Sequence, residues 1–408
     1  MEPAWVRDAI FWHLYPLGAL GAPDTLTEAD PERGSDGIAH RLPRLLPWLD
    51  HLVSIGCNGL LLGPVFTAAS HGYDTLDHFT IDPRLGDEAD MQALIDACHE
   101  RGIRVGFDGV FNHVGRDHEL AKGRLDDPAT TYFEGHSGLV NLDFNDPRSA
   151  ELVTRVLQYW SERGVDCWRL DAAYAMNASI WREILPPIRQ QFPQLYIFGE
   201  VIHGDYPAIV AAADFDAVTQ YELWKAVWSS LNDANFFELA HALARHAEFC
   251  QSFTPQTFLS NHDVTRIATQ LTCAENLPLA VALLAFLPGT PSIYYGDEDG
   301  FTGTKYERLG GDAEIRPPLP ETPVQLSELG RPVRARYQEL LGERRRRRWL
   351  YDAELSTSDL TNTTLAIHLR ARTGEAGCTL ALNCGQDPAQ IAGRTVAAHD
   401  IAWWDHNA

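Results

Sequence analysis

The 408-residue sequence contains no apolar run long enough to cross a bilayer. Its longest, around Leu277 to Leu287, falls well short of the ~18 to 20 residues required. Basic residues are also scarce: 33 Lys and Arg stand against 56 Asp and Glu, a formal net charge of −23. Such a surface repels polyanions, which argues against nucleic acid or an anionic membrane as partner and leaves neutral or cationic ligands. No internal repeat or low-complexity segment is visible. The first residues, Met-Glu-Pro-Ala-Trp-Val-Arg-Asp, lack the basic and apolar regions of a secretory leader, so a cytoplasmic protein is expected. Cysteine is sparse too, with seven residues, no CxxC pair and apolar surroundings such as Gly56-Cys57-Asn58-Gly59-Leu60. These read as buried free thiols of a reducing compartment rather than as disulfides or metal ligands.

What is present is ordinary globular material, 45% hydrophobic and 22% charged, enough for a large core. The length suits one α/β barrel of about 250 residues or more with a small appendage. Eight apolar runs have strand length: Ile10–Leu17, Gly59–Val65, Ile103–Val110, Val165–Ala172, Leu195–Val201, Phe215–Tyr221, Gln256–Ser260 and Pro291–Tyr295. Segments of helical spacing lie between them, among them Ala89–Gly102, Pro147–Gly164, Ser179–Phe192, Phe236–Cys250 and Glu275–Phe286. Parallel neighbours need crossover helices, so the alternation predicts an α/β fold, a (β/α)8 TIM barrel. After a last helix near Arg331–Arg348 the pattern changes to the short strands Thr364–Arg370, Cys378–Asn383 and Thr395–Trp403. Residues 1–345 are therefore assigned to the barrel, with a short insertion at about 114–142, and residues 346–408 to a small C-terminal antiparallel β domain. The five arginines Arg344 to Arg348 read as a solvated helix end rather than a nucleic-acid patch.

Barrels of this kind carry their chemistry at the C-terminal ends of the strands. There the third run ends Asp108-Gly-Val-Phe-Asn112-His113, the fourth Trp168-Arg169-Leu170-Asp171, the fifth Gly199-Glu200 and the seventh Ser260-Asn261-His262-Asp263. Any one of these has a plain structural explanation, such as an Asp capping the next helix. Four carboxylates, two histidines and an arginine at one end do not, because burying them costs several kcal/mol unless they pair or act. Retaining glycoside cleavage needs one carboxylate nucleophile and one protonated carboxyl about 5 Å apart. Asp171 and Glu200 end consecutive strands, which lie about 4.8 Å apart. Arg169 is expected to keep Asp171 ionised, and the apolar and anionic neighbours of Glu200 to keep it protonated. Asp263 is left to face the developing positive charge of the sugar.

Together these segments resemble the α-amylase family, glycoside hydrolase family 13. Supporting matches are His71-Gly-Tyr73-Asp74, Leu142-Asp143-Phe-Asn-Asp-Pro and Pro288-Gly-Thr-Pro-Ser-Ile-Tyr-Tyr-Gly-Asp-Glu298. The resemblance implies that Asp171 is the nucleophile, Glu200 the acid/base and Asp263 the transition-state stabiliser. It implies that Tyr73, His113, Arg169 and His262 line the subsite of the attacked glucose, with Asp108 and His203 as further substrate-binding members of the signatures. It also implies that Asp312 and Arg316 hold donor-side sugar. Tyr174 and Ala175 stand where starch-degrading relatives often carry Lys-His, and Glu200-Val-Ile-His203 leans toward the cyclomaltodextrinase and neopullulanase group. The resemblance therefore points to hydrolysis of short or cyclic maltooligosaccharides, with a transglycosylase of the same fold as the alternative and a noncatalytic sugar-binding barrel or a metal-dependent hydrolase as more distant ones. No cofactor is expected. Calcium is disfavoured because Asn112 lacks an accompanying Asp/Asn cluster in the insertion. The aromatic tail, including Trp403 and Trp404, permits a homodimer.

Overall fold

The computed structural model describes residues 2–308 and 310–406. Its centre is one eight-stranded parallel sheet, β1 (Phe11–Leu14), β2 (Gly59–Leu62), β3 (Arg104–Gly109), β4 (Cys167–Leu170), β5 (Tyr196–Gly199), β6 (Ala217–Val218), β7 (Gln256–Phe258) and β8 (Thr290–Tyr294). Each strand from β1 to β5 pairs with its successor, β7 pairs with β8, and β8 returns to β1. A bridge from Thr219 to Gln256 joins β6 to β7 and closes the ring, giving the (β/α)8 barrel the sequence predicts.

The strands are short and, apart from Arg104 at the start of β3, buried along their length, as Gly-Leu-Leu-Leu in β2 illustrates, because helices cover the outside and side chains fill the inside. At the bottom of the barrel Phe11 stacks on Tyr196 with centroids 6.4 Å apart. Gly59 makes this possible, since a Cβ there would lie 2.5 Å from the Phe11 ring.

The helices begin where local chemistry satisfies their free N–H groups. Asp87 and Asp90 form a reciprocal capping box on the helix Glu88–Glu100, and Asp146 caps Pro147–Glu162, whose first residue is the proline. The helix Leu277–Phe286 is apolar on every side, so it must be covered all round. The barrel packs on one side of it and the C-terminal sheet on the other, where Phe286 meets Trp403.

That C-terminal sheet is antiparallel, in the order β9 (Glu354–Ser358), β10 (Thr364–Arg370), β11 (Gly377–Asn383) and β12 (Asp400–Asp405). Four expectations need correction. The run Phe215–Tyr221 supplies only a two-residue strand, and Tyr221 instead opens the helix Tyr221–Asn232. The run Thr395–Trp403 breaks into the short strand Arg394–Val396 and β12. β9 was not anticipated, since its Glu-Leu-Ser-Thr-Ser is polar and mostly exposed. Arg344, only 6% exposed, is no part of a solvated helix end; it grips backbone carbonyls of Ala285, Leu287 and Gly289. Trp403 and Trp404 are half-buried against Phe286 and Arg394 of their own chain. No helix among the described residues is long and apolar enough to cross a membrane. Six of the seven free cysteines are buried and Cys273 is half-buried.

Candidate active site

The upper rim of the barrel brings the four strand ends together. Asp108 on β3 and Arg169 on β4 are register partners, and Asp108 receives NH1 of Arg169 on both oxygens, at 2.6 and 2.7 Å. The same nitrogen reaches Asp171 Oδ1 at 3.2 Å, while NH2 reaches Glu200 Oε1 at 2.8 Å. One guanidinium therefore holds three carboxylates, and Asp171 and Glu200 share its span. Glu200 can leave β5 in this direction because Gly199 precedes it. A Cβ at Gly199 would sit 2.7 Å from the Phe215 ring and 2.9 Å from Ala173.

Two further donors fix Glu200: the backbone N–H of Ala172 on Oε2 at 3.0 Å, and Tyr221 Oη on Oε1 at 3.2 Å. Tyr221 in turn accepts from Asn261 Nδ2 at 2.8 Å. The side-chain Oδ1 of Asn261 accepts the N–H of Asp263 at 2.8 Å, so the turn after β7 and the end of β5 are locked to each other.

Asp263 lies across the cleft, 2.8 Å from His262 Nε2 and 3.1 Å from Arg316 NH2. Burial acts against its charged form, but His262, Arg316 and Arg169 outweigh it and hold the carboxyl well below the usual range. Arg316 also takes Asp312 at 2.8 Å and lies over the Tyr15 ring. Tyr73 donates to Asp108 Oδ2 at 3.0 Å and also contacts His262 Nε2. With the Tyr73 proton directed to Asp108, the network assigns the His262 proton to Nε2, facing both the Tyr73 oxygen and Asp263.

His113 stacks on Phe133 with centroids 4.5 Å apart, and its Nδ1 accepts from Asn112 Nδ2 at 3.3 Å. That leaves Nε2, 4.0 Å from Asp171 Oδ2, without a hydrogen-bond partner. Burial, followed by the neighbouring His71, pushes this imidazole down to about 4. It is therefore neutral at ordinary pH and offers a spare N–H to a ligand beside Asp171.

Burial and then the Glu200 carboxylate push Asp171 upward, and Arg169, divided among three acids, opposes them.

These groups open into a cleft of about 550 Å³. Tyr73, His113, Asp171, Glu200, Asp263, Asp312 and Arg316 line it, while Asp108, Arg169 and His262 are buried beneath and hold the others. His203 does not belong to the lining. It is exposed on the following loop, its ring edge-on to Tyr174 with centroids 6.0 Å apart. The sequence reading missed Phe133 and Glu134 from the insertion, Tyr221 and Trp224 from the helix after β6, and Lys305 and Glu307 after β8, all in the lining. Glu134 has a positive φ of 48° and accepts from Tyr174 Oη at 3.1 Å, which bridges the insertion to the loop after β4. A second recess of about 640 Å³, between Leu76 and Arg155, contains none of the clustered acids. Among the described residues, the His/Asp/Glu groupings close enough to share a metal ion are His40-Asp87-Asp90 and His51-Glu298-Asp299, both outside the cleft.

The α-amylase catalytic-domain family model matches residues 42–134 and 124–316. The chain belongs to the α-amylase family. Within that family it is 34% identical over 343 residues to a cyclomaltodextrinase of Bacillus sp., covering 74% of this chain and 61% of the relative. It is 31% identical over 354 residues to a maltogenic α-amylase of Bacillus acidopullulyticus, covering 74% and 58%. The chain thus spans less than two thirds of the length of these curated relatives. Among solved structures, a cyclomaltodextrinase superposes with a TM-score of 0.81 at 27% identity, over 95% of this chain and 72% of the other. The ligand-free cyclic α-maltosyl-(1→6)-maltose hydrolase of Arthrobacter globiformis gives 0.84 at 24% identity over all of both chains, a likeness of fold. The α-amylase-family barrel and the cleft at its rim coincide in this chain with the convergence of Asp171, Glu200 and Asp263.

Proposed function

We propose that the chain is a retaining α-glucoside hydrolase acting on short or cyclic maltooligosaccharides. The observation that carries this reading is the single Arg169 guanidinium holding Asp171 and Glu200 side by side, with Asp263 facing them. Retaining chemistry needs two carboxyls this close. Asp171 attacks the anomeric carbon while Glu200 protonates the departing glycosidic oxygen, giving a glycosyl ester on Asp171. Glu200, now ionised, removes a proton from water, which attacks the same carbon and releases the sugar with its original anomeric configuration. Asp263 and the buried dipoles around it stabilise the positive charge that develops on the ring.

The burial that pushes Asp171 upward opposes the anion its attack requires. A glycosidic oxygen entering beside Glu200 supplies the proton acceptor, and sugar hydroxyls and the His113 N–H beside Asp171 favour its anion. The bound sugar thus completes the charge assignment.

Support for the substrate class comes from the relatives' names and from a cleft whose volume suits a few sugar rings. One solved neighbour, at 23% identity, was obtained in complex with cyclic α-maltosyl-(1→6)-maltose. Transfer to a second sugar competes with hydrolysis, and the apolar lining Ile202, Trp224 and Val264 offers a face on which an acceptor ring can stack. Product profiles on linear maltooligosaccharides, cyclodextrins, pullulan and cyclic maltosyl-maltose test the reading. Short products support hydrolysis, products longer than the substrate support transfer, and no turnover on any of them refutes the proposal.

We further propose that the reaction needs no metal, because Asp171, Glu200 and Asp263 already face arginine partners. A cytoplasmic location is supported by the buried thiols and by 28% identity, over 74% of this chain and 57% of the other, to an intracellular maltogenic amylase of Bacillus subtilis. Light scattering tests the homodimer the sequence permits.

A further inference from the structure

At the end of the barrel opposite the cleft, ahead of β1, β2 and β8, lies a recess of about 160 Å³. Arg7, Arg344, Arg345 and Arg348 line it together with Asp8. Arg7 takes Asp352 at 2.9 Å, and Arg348 takes the Asp8 carboxylate. Among the described residues, the other two have no carboxylate partner. Arg344 directs NH1 to the carbonyls of Ala285 and Leu287, both at 2.9 Å, and NH2 to Gly289. Arg345 directs Nε and NH2 to the Gly56 carbonyl, at 3.0 and 2.7 Å, and NH1 to the Asp8 carbonyl at 2.7 Å.

Carbonyls at a helix end explain where these two heads sit, since cations are favoured there. They do not neutralise them. Arg344, 6% exposed, and the half-buried Arg345 thus place two adjacent positive charges on backbone carbonyls alone, in a protein whose overall charge is −23. Adjacent buried charges of one sign are costly unless a counter-ion joins them. Burial and then Arg345 push the Arg344 guanidinium down to about 9, the direction expected of a site short of negative charge. The recess has roughly the liquid volume of five waters, room for a tetrahedral oxyanion and little more. Arginine forks match such oxygens two at a time.

We propose that this recess binds a phosphate-type oxyanion, either free inorganic phosphate or the phosphate group of a small monoester. Binding here is independent of the sugar cleft.

The test is isothermal titration of the full chain with inorganic phosphate and with glucose 6-phosphate, against sodium chloride at matched ionic strength. One saturable phosphate per chain is expected, and chloride should give none. Equal affinity for the two ligands assigns recognition to the phosphate group alone; tighter binding of glucose 6-phosphate assigns a monoester as the ligand. Arg348→Gln, an exposed position, should weaken binding about tenfold or more, the value of one charge-assisted contact. Arg345→Lys keeps the charge but loses the fork, and should weaken it as well. The exposed Arg331→Gln and the cleft variant Asp171→Asn should leave it unchanged. Absence of saturable binding at millimolar phosphate, or equal affinity in Arg348→Gln and Arg345→Lys, overturns the proposal.

Discussion

Replacing Tyr221 by Phe removes one oxygen and keeps the ring, which packs on Phe258 with centroids 4.9 Å apart. Two hydrogen bonds go with that oxygen. Glu200 Oε1 loses the donor at 3.2 Å and depends on Arg169 alone, while Asn261 Nδ2 loses its acceptor at 2.8 Å. A hydrogen bond to a charged group contributes about 1.5–3 kcal/mol. If the bond to Glu200 is at full strength only when that residue is anionic, after proton donation, kcat falls by roughly ten- to a hundredfold. KM changes little, because the hydroxyl addresses Glu200 and not the sugar. The unpaired Asn261 amide costs about 1–3 kcal/mol of folding stability, visible as a lower Tm. A purely structural role predicts that loss and nothing else. The discriminating readout is the pH profile: a donor to the carboxylate favours its ionised form, so its removal moves the basic limb of kcat/KM to higher pH. A Tyr221→Phe enzyme with unchanged kcat and an unmoved basic limb would refute the reasoning.

Three further outcomes follow from the same geometry. Asp171→Asn keeps the shape of the side chain and removes the nucleophile, so turnover should fall roughly a thousandfold or more with a near-native circular dichroism spectrum; substantial residual activity means the nucleophile lies elsewhere. His113 is pushed from 6.5 down to about 4 by burial, so its neutral form persists as pH rises through 5 to 8 and only acid below about pH 4 charges it. His113→Gln should therefore raise KM through the lost N–H yet leave both limbs of the pH profile in place, and a vanished limb contradicts this. Exhaustive treatment with a chelator should leave kcat unchanged, whereas activity that disappears and returns with calcium disproves the metal-free reading.

The barrel was legible because its strands are buried runs of branched and aromatic residues separated by amphipathic helices, a pattern that local sequence records directly. Asp108, Arg169, Asp171, Glu200 and Asp263 were legible for a related reason: each ends such a run, and the fold requires strand ends to meet. Tyr221 was not. It reads as the tail of an aromatic strand, and only the closure of the ring through Thr219 and Gln256 turns it inward as the first residue of a helix. Glu134 and Phe133 come from the insertion, whose position over the cleft depends on contacts with Tyr174 and His113 that no local pattern encodes. Arg344 misled for the opposite reason, since a run of five arginines looks solvated until the carbonyls of Ala285, Leu287 and Gly289 are seen to surround one of them. Arg169 was assigned to one acid and serves three.

The most direct test of the account is to trap the sugar on the enzyme. An α-maltosyl fluoride leaves without needing a proton, so with the Glu200→Gln variant the first step proceeds while the water-activating base is missing. Intact-mass measurement followed by peptide mapping should find one maltosyl ester per chain, carried on Asp171. An adduct on any other residue, or release of fluoride and maltose with no adduct formed, would contradict the central assignment.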